Sequence, residues 1–67
     1  MNLPKSVNVA QVMGFHHVSD QIGWIKVQIE KDLLIRIVLP ADLVHKAQNE
    51  WLDYLVDGFE RTIQITG

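Results

Sequence analysis

The sequence contains no cysteine, so neither a disulfide nor a thiolate metal site can stabilise the fold. The absence of cysteine is typical of a reducing compartment, and we expect a cytoplasmic protein. The four glycines are isolated, so no glycine-rich phosphate-binding loop is present and a nucleotide-cofactor site is not expected. No segment approaches the roughly 20 apolar residues of a membrane span, so no membrane association is predicted.

The chain also lacks a strong charge of either sign. Six Lys and Arg residues against 8 Asp and Glu residues give a net charge of −2. Proteins that bind duplex nucleic acid generally carry a basic stripe, so this balance argues against binding through bulk charge.

What the chain does have is a high apolar content, 48% of its 67 residues. Its length predicts a single small domain over residues 1–67. A chain this short buries only roughly 60% of its unfolded surface, and small domains without disulfides or metals depend on association. We therefore expect self-association, as a homodimer.

Apolar residues alternate in four segments, which predicts β-strands at 7–18, 24–30, 33–39 and 59–67. For the middle two, the apolar faces coincide when Ile29 pairs with Leu33, which leaves 30–32 as a three-residue loop. The same register pairs Lys26 with Arg36 and Trp24 with Val38. Two cations opposite each other are mildly unfavourable unless an acidic group is nearby.

A helix is predicted after the hairpin, with Pro40 in its first turn and Gly58 as its C-terminal cap. At roughly 100° per residue one arc is apolar, formed by Leu43, Val44, Ala47, Trp51, Tyr54 and Leu55. A flank of His45, Leu52 and Val56 makes the apolar surface wider than one sheet contact needs. The opposite arc is polar, with Lys46–Glu50 as a predicted i,i+4 pair.

The predicted order is β-β-β-α-β, a small two-layer α+β domain. Three strands form an antiparallel meander, one helix packs on one face of it, and the fourth strand is C-terminal. The sequence leaves three positions open for that strand: beside the first strand, beside the third, or against a second chain.

The stretch GFHHVSD, residues 14–20, contains residue types found in metal and hydrolytic sites. Adjacent strand residues point to opposite faces, so His16 and His17 cannot easily bind one ion, and no zinc spacing is present. A catalytic triad needs groups from separate elements, which a local run does not supply. We expect strand-end histidines sharing space with Trp24, followed by a turn at Ser19 and Asp20, and we predict no catalytic, metal or cofactor residues.

Two surfaces are candidates for binding a partner. The first is the face of the sheet that the helix leaves uncovered, where the pattern places Trp24, Lys26, Leu34, Arg36 and Val38. Aromatic, arginine and exposed aliphatic side chains together are typical of contact surfaces. The second is an acidic helix face, Glu50, Asp53, Asp57 and Glu60, for which a solvated surface is the simpler interpretation.

We therefore expect a non-enzymatic protein-interaction module. It would be a small homodimeric inhibitor, antitoxin or adaptor, of bacterial or phage type, that covers a surface on a larger protein. The alternative is a nucleic-acid-binding or regulatory domain that uses the Trp24, Lys26 and Arg36 face, since aromatic and basic residues on a sheet can stack single-stranded bases.

Overall fold

The computed structural model describes residues 5–65, and it confirms the predicted α+β fold. Strands β2 (Val12–His17), β3 (Ile22–Glu30) and β4 (Leu33–Pro40) form an antiparallel sheet in the order β2-β3-β4, and helix α1 (Ala41–Asp57) packs on one face. A separate two-stranded ladder joins β1 (Ser6–Asn8) to β5 (Thr62–Gln64). Of the three positions left open for the last strand, the one beside the first strand is correct.

The first predicted strand is interrupted. A 3₁₀ turn at Val9–Gln11 separates β1 from β2, so the run from 7 to 18 forms two strands that pair with different neighbours. The Asn8 side chain accepts from the Ala10 N–H at 2.9 Å, and the Gln11 side chain accepts from the Asn8 N–H at 3.1 Å. These reciprocal bonds are a capping box, which offers the backbone an alternative to the ladder.

The hairpin of β3 and β4 has the predicted register along most of its length. The confirmed pairs are Trp24–Val38, Ile25–Ile37, Lys26–Arg36, Val27–Ile35 and Gln28–Leu34.

The prediction is wrong at the hairpin tip, where Glu30 rather than Ile29 lies opposite Leu33. The register shifts between Gln28 and Glu30, and the connection is two residues long, Lys31–Asp32. Two-residue connections match the twist of paired strands, and a bulge in β3 accommodates Ile29 as the additional residue. As a result Ile29 is 37% exposed and Leu33 is 40% exposed, although both were expected on the covered face.

Helix α1 begins directly after Pro40, which ends β4 and so lies one residue before the first turn in which it was predicted. The Ala41 N–H has no acceptor within the helix because it lies in the first turn, and it donates instead to the Gln21 carbonyl at 3.0 Å. At the other end Gly58 is the predicted cap. It adopts a left-handed conformation (φ 74°) and donates its N–H to the Tyr54 carbonyl at 2.8 Å.

The core lies between α1, the covered face of the sheet and the β1–β5 ladder. Its largest fully buried side chains are Val9, Ile25, Val27, Ile37 and Val44. On α1, Val44 and Ala47 are buried, and Leu43, Trp51 and Tyr54 pack against the core while remaining partly exposed. The Trp51 ring meets Phe15 edge-on at a centroid distance of 5.5 Å.

Leu55 is 58% exposed, so the predicted helix phase is wrong at this position. It was assigned to the buried arc beside Trp51, yet only Leu43, Val44, Ala47, Trp51 and Tyr54 of that arc contact the core. A narrow sheet covers a smaller sector of the helix than the apolar residues occupy. Among residues 5–65, no helix combines the length and the apolar character needed to cross a bilayer.

Candidate functional site

The open sheet face, defined here by Trp24, Lys26, Leu34, Arg36 and Val38, is a contiguous surface. The first two lie on β3 and the others on β4, and the register places all five on the side away from α1. Leu34 is 52% exposed and Val38 is 61% exposed, Arg36 is exposed, and Trp24 and Lys26 are half-buried. The structure therefore brings together all five residues predicted from the alternation.

Trp24 is held between two neighbours on this face. The His16 ring stacks on it at a centroid distance of 4.9 Å and an interplanar angle of 19°. The Arg36 guanidinium carbon lies over the indole, 4.7 Å from its centroid. Since His16 comes from β2 and Arg36 from β4, they approach from opposite sides of β3 and the indole stands between them. The expected proximity of the strand-end histidines to Trp24 is confirmed for His16 and is wrong for His17, which stacks on His45.

Neither cation of the open sheet face forms an ion pair with a carboxylate of residues 5–65. Lys26 and Arg36 are paired across the strands, and within residues 5–65 the only ion pair is Asp57–Arg61. The cation–π contact with Trp24 provides Arg36 with local stabilisation, worth about 0.5–1 kcal/mol at an exposed site. It supplies no negative charge, so a carboxylate approaching this face would meet two uncompensated cations.

The predicted acidic helix face is only partly on the helix, because Glu60 lies beyond the end of α1 at Asp57. Asp57 forms an ion pair with Arg61, and its Oδ1 also accepts from the Phe59 N–H at 2.8 Å. The hydrogen bond from the Arg61 guanidinium holds the pKa of Asp57 below its usual value, and the same bond raises the pKa of Arg61. The predicted Lys46–Glu50 ion pair is not found among the described residues. Asp57 therefore stabilises the C-terminal end of α1 and is not a free carboxylate.

The histidines of GFHHVSD lie on opposite faces of β2, as predicted from strand geometry. His16 pairs with Trp24 on the open face, whereas His17 pairs with Gly23 on the face toward α1. His17 stacks on His45 at a centroid distance of 4.5 Å, and its Nε2 lies 3.0 Å from the Gln48 Oε1. Sequence reasoning missed this contact, although strand parity for His17 and the helix flank for His45 pointed to it.

The turn after β2 is formed by Ser19, as predicted. Its Oγ accepts from the backbone N–H groups of Gln21 at 3.2 Å and Ile22 at 3.3 Å. A hydroxyl that accepts two backbone N–H groups in this way closes the turn.

A shallow groove of about 270 Å³ lies between α1 and β5. Its lining consists of Leu43, Lys46, Ala47, Glu50 and Thr62–Gln64. None of the five open-face residues lines the groove, so the two are separate features.

Potential metal ligands are dispersed: in the part of the chain that the structure describes, no three His, Asp or Glu side chains are placed to hold one ion. Comparison with known proteins assigns no relative. No protein-family model matches the chain, and searches of the curated proteins and of the solved structures gave no significant match.

Proposed function

We propose that this protein is a non-enzymatic interaction module that presents its open sheet face to a larger protein. In this proposal it works in the cytoplasm as a homodimeric inhibitor, antitoxin or adaptor. The observation that carries the proposal is the stack of His16, Trp24 and Arg36 beside the exposed side chains of Leu34 and Val38.

The stack supports binding because it is already ordered. Immobilising a flexible side chain on binding costs about 0.5–1.5 kcal/mol, and an arginine held against an indole has lost part of that freedom beforehand. Tryptophan and arginine are the residue types that dominate measured binding hot spots. Leu34 and Val38 add apolar surface next to them, which a partner can dehydrate.

The charges of the face indicate the chemistry of the partner. A carboxylate placed between Lys26 and Arg36 would relieve the repulsion between them, and Arg36 could bind it in a bidentate manner while remaining stacked. We therefore infer an acidic partner surface with an apolar centre.

The arrangement around Trp24 favours a protein over single-stranded nucleic acid. Base stacking needs a free aromatic face, and here His16 takes one side of the indole and Arg36 the other. A base would first have to displace one of them.

The test is affinity capture from native lysate with quantitative mass spectrometry, followed by direct measurement of affinity for the captured protein. The baits are the wild-type chain, Trp24→Ala, Arg36→Glu and a charge-reversal control, Lys46→Glu, whose side chain is exposed on the polar arc of α1. Both open-face variants should weaken binding by about 2 kcal/mol or more, roughly 30-fold, mainly through faster dissociation. The control should bind as the wild type does.

Circular dichroism must show that the open-face variants remain folded. Equal binding by all four baits would overturn the proposal and leave the acidic helix face as the better candidate. Capture of nucleic acid, with affinity that falls steeply as salt rises, would support the alternative function instead.

A further inference from the structure

The C-terminal half of α1 carries a second exposed surface, formed by apolar side chains only. This helix-end patch is defined by Leu52, Leu55, Val56 and Phe59, which are 47%, 58%, 88% and 70% exposed. It belongs to the helix layer, whereas the open sheet face lies on the other side of the sheet. Contiguous exposed apolar surface of this kind marks an interaction site.

The patch has a regular shape. Leu52 and Val56 form one row with a spacing of four residues, and Leu55 lies beside this row on the same face of α1. Phe59 lies just beyond the helix cap, and its N–H donates to the Asp57 carboxylate at 2.8 Å, which fixes the backbone at the edge of the patch. Helices pack most commonly by fitting such rows into the groove between the rows of another helix, at about −50°.

The size of the patch fits a dimer contact. If about 200 Å² is taken for each whole apolar residue, the exposed fractions amount to roughly 500 Å² per copy. Complete burial of the patch on two copies would remove about 1,000 Å² from water, which is the minimum expected of a biological interface, and neighbouring residues would add to it.

The composition of the patch points to a second copy. Homodimer interfaces are more apolar than other interfaces, with charged groups at the border. Here the centre is entirely apolar, and the nearest carboxylates, Asp53 and Asp57, belong to the polar side of the helix. Asp57 is already neutralised by Arg61, so no unpaired charge needs to be buried at the centre.

We propose that a second copy of this chain covers the helix-end patch, with the two α1 helices crossing about a twofold axis near Leu55 and Val56. A twofold contact uses the same surface on both copies, so each helix-end patch would face its symmetry equivalent. The inference extends the proposed function by naming the surface that forms its homodimer. Both open sheet faces would then point away from the seam and stay free for partners.

The decisive measurement is sedimentation equilibrium from micromolar to millimolar concentration, on the wild-type chain and two matched variants. Val56→Lys places a charge in the seam and should raise the dimer dissociation constant at least 30-fold. Val38→Lys makes the same change at an exposed valine of the open sheet face and should leave the dimer intact. Both positions are exposed, so circular dichroism should report wild-type folding.

Because the chain has no cysteine, a single thiol gives an independent test. Val56→Cys should form an intermolecular disulfide quickly under mild oxidation, since its two copies lie near the axis, and Val38→Cys should not. A wild-type monomer at millimolar concentration would overturn the inference, as would a dimer that Val38→Lys dissociates and Val56→Lys does not. The first result leaves binding that depends on Trp24 untouched. The second would place the seam on the open sheet face, and the affinity of Trp24→Ala for the captured protein would then decide the proposed function separately.

Discussion

Gly23 is the position where the smallest change should cost the most. It lies buried in β3 opposite His17. A Cβ at this position would lie 2.5 Å from the His16 carbonyl oxygen and 3.1 Å from the Val44 Cγ2. The carbonyl belongs to the backbone of β2 and cannot rotate away, so Gly23→Ala should push β2 and α1 away from β3.

The expected loss follows from overpacking. Inserting a methyl group into a closely packed site typically costs about 1–3 kcal/mol. A domain of this size seldom has more than about 3–5 kcal/mol of stability, so the variant should lose close to half of it. Movement of β2 should also separate His16 from Trp24 and weaken binding at the open sheet face.

The assay is urea unfolding followed by far-UV circular dichroism, with two glycine controls. Gly14→Ala, where nothing lies within 4 Å of the new Cβ, should be neutral or stabilising by up to about 1 kcal/mol. Gly58→Ala should cost about 1 kcal/mol because of its positive φ. If the free energy of unfolding of Gly23→Ala lies within about 0.5 kcal/mol of the wild-type value, the close approach of β2 to β3 is refuted.

Three further predictions concern the helix, the histidines and the ion pair. Trp51→Ala should cost about 2–3 kcal/mol in urea unfolding, less than the 3–5 kcal/mol of a fully buried ring, and a loss below about 1 kcal/mol would contradict its packing on the core. Equimolar zinc should not raise the melting temperature; saturable stabilisation by one ion per chain, lost in His17→Ala or His45→Ala, would show otherwise. In an NMR titration the pKa of Asp57 should lie below 3.8 and return toward that value in Arg61→Gln. Because this pKa is lowered by folding, the pair stabilises the fold above pH 3.8 and loses that effect as the pH falls through the lowered value; an unchanged pKa in the variant would exclude Arg61 as the cause.

The alternation of apolar and polar residues by itself determined the hairpin register from Trp24 to Gln28 and the composition of the open sheet face. A one-residue slip would turn one strand inside out, so only one parity brings Ile25 and Ile37 to the same side. The C-terminal end of the helix could also be predicted from the sequence, because Gly58 can adopt the left-handed conformation without strain. The local sequence pattern was sufficient to predict a feature wherever one arrangement is much lower in free energy than the alternatives.

Other features were decided only by the tertiary structure, because several arrangements satisfy the same sequence pattern. The apolar face of β5 could have been buried beside β4 or a second chain as well as beside β1. The exposure of Leu55 depends on how wide the sheet is beneath α1, and the His17–His45 contact depends on where the helix lies across β2. These are properties of elements distant in sequence, and periodicity within one element cannot specify its position relative to another.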